Sequence, residues 1–408
     1  MSQALAPLRA GLDLMPSPIE DRPGLLIRDP FRYSESVLVL PPPLVGMLRL
    51  FDGQRSESDL RQALAHVAGE AEVEPMLRHL VDTLQEAGFL EDESFARLRD
   101  RRHREFAAAP RRAAAHAGAA YPADIQELHR VLDRYLEPST SEPPSQSTSD
   151  WIAIAAPHVS PEGGWRSYRA AFAGLGPQLA QRTFVVLGTS HYGAPERFGL
   201  TRKPFATPLG EAVPDLTIVD RLSAAAGPAA VVEDYCHAVE HSIEFQVLFL
   251  QKLFGAAIRI VPILCGPFAR RTLGPGRPED DPEVGRFLDA LSALADSESE
   301  RLFWVLGVDL AHIGRRYGDA FRARSGFGRL AQVEVGDRAR LDSILAADAA
   351  GFWDELRRDG DGLRWCGASP LYSFLYAVRP ARGELLRYEQ WNIDDASVVS
   401  FGALGFSR

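Results

Sequence analysis

The chain has 408 residues, enough for two domains at the usual size of about 100 to 200 residues each. Hydrophobic residues make up 46% and charged residues 25%, the balance of a folded globular protein, and a formal net charge of −10 argues against a broad basic face for nucleic acid. Three cysteines, Cys236, Cys265 and Cys366, are too few and too scattered for a disulfide framework. With no apolar signal core at the N-terminus and no run of ~20 apolar residues, the expectation is a cytoplasmic protein with reduced thiols and no membrane span.

LLIRD and SVLVL predict two strands around the polar turn Pro30 to Glu35, and three prolines, Pro41 to Pro43, stop the second. The helix that follows carries Leu44, Met47, Leu48 and Phe51 and ends at Gly53. Ser56 to Asp59 has the spacing of a capping box, opening a helix with Leu60, Leu64 and Val67 turned inward. Leu77, Leu80, Val81 and Leu84 form the apolar stripe of a third helix, closed by Gly88. This order, followed by EAGFLED, resembles the small winged-helix domains of the PqqD type, and the resemblance implies a unit over residues 1–100 that recognises a peptide. Its third helix sets Arg78 and His79 against Glu74, Asp82 and Glu86, a balance that repels phosphate.

Residues 97–112, RLRDRRHREFAAAPRR, switch to Arg and Ala and predict a solvated helix or linker. The expected division is therefore a first unit, a basic linker over 101–112, and a second domain over 113–408. PSTSEPPSQSTSD at 138–150 and ARRTLGPGRPEDDPE at 269–283 read as exposed loops. From Trp151 onward, the β-rich runs WIAIAA, RTFVVLG, IRIVPIL, LFWVLGV and ASVVSFGAL alternate with helical stretches. That alternation predicts an α/β fold with a central sheet covered by crossover helices.

Three of these strands end in a polar signature. His158 lies just past WIAIAA, His191 past RTFVVLG, and Asp309 and His312 past LFWVLGV. Ligands of open α/β sheets bind outside the carboxyl ends of strands, so these four residues can converge on one crevice and bind a first-row transition metal. Glu240 and Glu244 stand four residues apart in EHSIE with His241 between them, and on a helix the two carboxylates would share a face.

Motifs through this part of the chain resemble those of the Memo family, also called AmmeMemoRadiSam system protein B. They are HAGAAYP at 116–122, APH at 156–158, LGTSH at 187–191, EHSIEFQ at 240–246, VPIL at 261–264, DLAH at 309–312 and CG at 366–367. The resemblance implies a fold similar to class III extradiol dioxygenases, which hold Fe(II) with two histidines and a carboxylate. It places the metal ligands on His158, His191 and Cys366, a thiolate replacing the carboxylate, and the Asp-x-x-His pair on Asp309 and His312 beside them.

On this reading His312 is the general acid or base, Asp309 orients it or assists, and Glu240, His241 and Glu244 support the ligands from behind, the alternative for the two glutamates being a salt bridge on a helix surface. Iron(II) is the expected metal, with copper or zinc also suited to sulfur. The implied function is a non-haem iron, dioxygenase-like oxidoreductase acting on a small-molecule or peptide substrate. The alternative is a peptide-binding module that kept the cleft and lost the chemistry. The chain departs from the family where PHVSPEGGWRSY replaces a glycine-tyrosine stretch and where Tyr192 replaces a second histidine. Cys236 and Cys265 have no counterpart and read as buried filler.

Overall fold

In the computed structural model, residues 4–19, 21–137, 150–379 and 382–408 are described, so the serine- and proline-rich segment expected as a loop lies outside them but for Asp150. The chain forms two compact units, Met1–Ala108 and Ala109–Arg408.

The first unit opens with an antiparallel three-stranded sheet of β1 (Asp13–Pro16), β2 (Leu25–Arg28) and β3 (Val37–Leu40), in that order. β2 and β3 are the expected pair, whereas β1, DLMP, carries no β-branched residue that would announce a strand. The expected single helix after the prolines is a short α-turn, Pro42–Val45, running into a 3₁₀ segment, Gly46–Leu50. Ser56 and Asp59 do form a reciprocal capping box at the helix Glu57–Leu64. That helix stops before Val67, which is exposed rather than inward. The next helix, Glu70–Glu86, buries Val73, Leu77, Leu80 and Leu84, leaving Val81 half-buried. The arginine-rich run is helical, Glu93–Ala108, with Phe95 and Phe106 as its buried anchors.

A buried ion pair pins this unit. Arg9 donates to both carboxylate oxygens of Asp29 (2.9 and 3.1 Å) and to the Gly88 carbonyl (2.9 Å), and its guanidinium lies 3.9 Å from the Phe95 ring centroid. Asp29 also accepts the backbone N–H groups of Phe31 and Ser34, fixing the turn between β2 and β3. Removing one partner of a buried pair leaves an uncompensated charge, at a cost of about 3 to 5 kcal/mol. Asp29→Ala is expected to lower the unit's stability by about that amount. The check is hydrogen exchange, with faster exchange confined to residues before Ala108; unchanged protection there would contradict it.

The second unit is built on an eleven-stranded sheet among the described residues. Its strands are β4 (Trp151–Ala156), β5 (Thr183–Thr189), β6 (Phe198–Leu200), β7 (Phe205–Thr207), β8 (Gly210–Pro214), β9 (Ala230–Val232), β10 (Arg259–Cys265), β11 (Leu302–Gly307), β12 (His312–Gly314), β13 (Arg382–Asn392) and β14 (Ser397–Ser407). β4, β11, β5 and β10 lie side by side and parallel. β14 closes one side antiparallel to β4 and pairs with both β12 and β13.

The four parallel strands are continuous apolar runs because both their faces are covered. Ala153, Val185, Val261 and Trp304 face the helices Leu216–Ala226, Pro282–Ser297 and Ala368–Val378. Ile154, Phe184, Ile260 and Phe303 face the helices Ile125–Leu136, Pro161–Phe172 and Glu244–Phe254. The alternation of neighbours between the two sets is the period-two rule of a strand. The stretch 269–283 is not the plain loop expected: it holds the short helix Ala269–Leu273, and Asp281 caps the helix that starts at Pro282.

Candidate metal centre

β4, β5 and β11 end side by side, and the chain turns out of each at a residue able to bind or charge a metal. His158 follows β4, His191 follows β5 and Asp309 follows β11. Cys366 comes from the loop before the helix Ala368–Val378, and its Sγ lies 3.3 Å from Nε2 of His158 and 3.6 Å from the Asp309 carbonyl oxygen. Two glycines make this approach possible. A Cβ on Gly307 would stand 2.1 Å from the Ser242 carbonyl oxygen, and one on Gly367 would stand 2.6 Å from that of Asp309.

The structure corrects the place of His241. Expected behind the ligands, it stands among them: the ring centroids of His158, His191 and His241 are 5.0 to 5.2 Å apart in every pairing. A ligand nitrogen of each lies within 4.8 Å of the others, a spacing that can hold a metal ion. His241 reaches the centre because residues 240–243 are a turn and not helix. The Glu240 backbone is extended, and the helix begins only at Glu244. The two glutamates therefore share no helical face.

Their roles are separate. Glu240, 2% exposed, points its carboxylate at the histidines: it accepts Nδ1–H of His191 (2.9 Å), lies 3.1 Å from Nδ1 of His241, and accepts both residues' backbone N–H groups (2.8 and 3.0 Å). Glu244 faces the other way and forms a fully buried ion pair with Arg112. It also accepts the Tyr121 hydroxyl and the backbone N–H groups of Ala115 and His116, so it clamps the segment 112–121. The rest of Arg112 donates to the carbonyls of His237 and Glu240 (2.8 and 2.7 Å).

Each of the four imidazoles spends Nδ1 away from the centre. His158 donates Nδ1–H to the Gly307 carbonyl (2.9 Å), His312 donates its own to Leu310 (3.0 Å), and His191 and His241 turn theirs to Glu240. That fixes the tautomer and leaves Nε2 turned inward, where it can carry a proton or meet a metal. Asp309 does not hydrogen-bond the His312 ring as expected. Its carboxylate accepts the His158 backbone N–H (2.9 Å) and lies 3.4 Å from His158 Nε2, so it serves the ligand, and Leu310 orients His312.

Charge follows this geometry. Burial works against an imidazolium at His158, but the facing Asp309 carboxylate and Cys366 sulfur win and push its pKa up to about 9. His191 is also raised despite burial, by Glu240 and Cys366. Burial opposes a thiolate at Cys366, but the imidazoles of His158 and His312 outweigh it and hold the thiol well below its ordinary range. At His241 burial, joined by the neighbouring His191 and His158, outweighs Glu240 and lowers the pKa, which favours the neutral imidazole. Neutral nitrogen, thiolate sulfur and displaceable protons together form a donor set that fits a divalent first-row ion.

Residues 112–405 match the Memo-like protein family. The chain belongs to the Memo family. It is 30% identical over 313 residues to a MEMO1 family protein of Thermus thermophilus, covering 76% of this chain and 86% of that one. It is also similar to MEMO1 family proteins of Methanopyrus kandleri (27% over 310 residues, 73% and 99% covered) and Aquifex aeolicus (24% over 294 residues, 72% and 73% covered). The Memo match begins at Arg112, the residue that Glu244 clamps, and the first unit lies outside it.

Two outcomes follow. Glu240→Gln keeps the shape but loses the charge that aligns two imidazoles, and is expected to weaken metal binding by about 10- to 100-fold, read by competition with a chelating dye. Wild-type affinity in that variant would contradict the orienting role. Glu244 is subject to burial, which raises a carboxyl, yet the Arg112 guanidinium prevails and its pKa is lowered. The stability it contributes is therefore fully present above the ordinary glutamate value near 4.3 and is lost as pH falls through the depressed one. Glu244→Gln should cost about 3 kcal/mol at pH 7 in urea melts, with the gap to wild type narrowing in acid. A gap that widens in acid would contradict this.

Proposed function

We propose that this Memo protein is a metal-dependent oxidoreductase holding one iron(II) ion through Nε2 of His158, Nε2 of His191 and the thiolate of Cys366. The observation that carries this reading is the contact of Cys366 Sγ with His158 Nε2 at 3.3 Å, in a crevice where each imidazole has its Nδ1 already spent. A buried thiolate needs a cation, and a divalent metal supplies one while displacing the protons that His158 and His191 otherwise retain. Bound iron(II) would supply an electrophilic, redox-active centre with positions open to substrate and dioxygen, as in the extradiol dioxygenases whose fold the family's resembles. Sulfur also admits copper or zinc.

The chain's own residues divide the remaining work. His312 keeps Nδ1 on the Leu310 carbonyl, so its exchangeable proton sits on Nε2. Burial disfavours that proton, but the Cys366 sulfur and the Asp309 carboxylate favour it more, so the pKa of His312 is raised, which suits a general acid. The edge of its ring packs against Tyr317, 4.9 Å between centroids, which limits its swing. Glu240 holds His191 and His241 in line.

A second reading has its own observation: the spacing of His158, His191 and His241 also suits a metal held by three imidazoles. Anaerobic reconstitution with iron separates the two. The first reading predicts about one iron per chain, a thiolate-to-metal absorption band, loss of the band in Cys366→Ser, and no iron in His158→Ala with Cys366→Ser. Retention of iron by that double variant would overturn it. His241→Ala keeps the iron and the band on the first reading; on the second the wild type shows no thiolate band and the variant loses the iron.

The first unit is proposed to capture a peptide for this centre. Binding of a peptide library to the full chain, lost on deleting residues 1–108 while iron is retained, would support that role; binding unchanged by the deletion would remove it. Among the described residues no helix is long and apolar enough to cross a membrane.

A further inference from the structure

One buried carboxylate outside the centre reaches two of its working parts. Asp337 stands on the helix Leu330–Leu345 and is fully buried. It accepts three side-chain donors: the Trp365 indole N–H (2.7 Å), the Tyr388 hydroxyl from β13 (2.8 Å) and the Ser400 hydroxyl from β14 (2.6 Å). Packing alone would be served as well by an apolar residue of similar volume, which carries no desolvation cost, so the hydrogen bonds are what Asp337 adds.

The first arm runs to the sulfur. Trp365 precedes Cys366 and is gripped at two points, its indole by Asp337 and its backbone N–H by Asp361 (2.9 Å). Asp361 is held in turn by Arg340 (2.7 Å), which shares a face of the same helix with Asp337. The Arg340 guanidinium also lies 5.4 Å from the Trp365 ring centroid. The residue beside the thiol therefore cannot turn without breaking a bond to this helix.

The second arm runs to the acid. The Ser400 hydroxyl gives its proton to Asp337, which leaves its oxygen to accept the Ala311 N–H (2.8 Å). That N–H and the Leu310 carbonyl belong to one planar peptide unit, and the same carbonyl accepts Nδ1–H of His312. Fixing the N–H fixes the plane, and the plane sets the tautomer of His312. Near the centre the two loops are also tied to each other, by the His312 N–H on the Leu363 carbonyl (2.9 Å) and the Gly367 N–H on that of Asp309 (3.0 Å). Asp337 anchors the pair to one helix.

We propose that Asp337 is a positioning residue of this centre: through Trp365 it sets where the Cys366 sulfur stands, and through Ser400 it sets which nitrogen of His312 faces inward. One carboxylate thus holds a metal ligand and the general acid in a fixed relation while touching neither metal nor substrate. This rests on the proposed metal-dependent function.

The test uses the full chain with Trp365→Phe, which cuts the first arm, Ser400→Ala, which cuts the second, and Asp337→Asn, which disturbs both. Two readouts are taken. In the anaerobically iron-loaded chain they are iron affinity, by competition with a chelating dye, and the thiolate-to-iron absorption band. In the metal-free chain labelled with nitrogen-15 histidine, NMR reads the tautomer of the ring whose signal is lost in His312→Gln, at a pH high enough to leave that ring neutral. Trp365→Phe is expected to shift the band and weaken iron about tenfold while the ring keeps its single Nδ1–H tautomer. Ser400→Ala is expected to give a mixture of tautomers while the band stays in place and affinity stays within about twofold. Asp337→Asn is expected to change both readouts; if it does not fold, the two single variants decide. The proposal is overturned if folded Trp365→Phe keeps the wild-type band and affinity, if folded Ser400→Ala keeps the single tautomer, or if each of these variants changes both readouts alike, as a general loosening of the fold would. A wild type that takes up no iron removes the metal-dependent function and the sulfur arm with it, and the tautomer in the metal-free chain then decides the link from Asp337 to His312 by itself.

Discussion

A single buried carboxylate organises the centre. Glu240 takes two imidazole nitrogens and two backbone N–H groups; burial opposes its ionisation, but those imidazoles outweigh it and hold its pKa well below the ordinary value. One negative charge therefore sets both the tautomer and the direction of His191 and His241. It cannot be moved alone, because its own carbonyl is held by Arg112, and Arg112 is held by Glu244. Two glutamates four residues apart thus act in opposite directions, one toward the histidines and one toward the segment that leads into the sheet.

The sheet supplies the rest. Parallel strands put β4, β5 and β11 in register, so three chain exits lie side by side at one end, and only backbone contacts are needed to bring their polar residues together. The turn 240–243 and the start of the helix Glu244–Phe254 close over them: Ser242 Oγ donates to the Thr189 carbonyl (2.7 Å), and Gln246 Nε2 donates to that of Pro157 (2.8 Å). The Cys366 loop is fastened from the opposite side. Asp337, fully buried, accepts the Trp365 indole, the Tyr388 hydroxyl and the Ser400 hydroxyl, while Thr189 Oγ1 donates to the Cys366 carbonyl (3.1 Å). The thiol is thereby delivered to His158 by contacts on both sides of it.

Much of the sheet was legible because buried parallel strands are unbroken apolar runs, and the histidines after β4 and β5 stand where such strands end. His241 and the glutamates were misread for one reason: the spacing in EHSIE matches a helix, but Glu240 must leave helical geometry to reach His191. β13 was missed because RGELLRYEQWN intersperses Arg382, Glu384, Arg387 and Glu389 among its apolar residues, and its faces are only half-buried. The helix Leu330–Leu345 was missed because Asp337 and Arg340 occupy its buried face, where the pattern calls for apolar residues; their partners, Trp365 and Asp361, are far off in sequence. No local signal marks Arg112 either, since what defines it is a set of contacts supplied by distant segments.

The account turns on the sulfur of Cys366 meeting a metal already held by His158 and His191. X-ray absorption of the anaerobically iron-loaded chain measures that directly. The account predicts an iron coordination shell of imidazole nitrogen with one sulfur at about 2.3 Å, the distance typical of a metal–thiolate bond. A shell of nitrogen and oxygen alone, unchanged in Cys366→Ser, would contradict it.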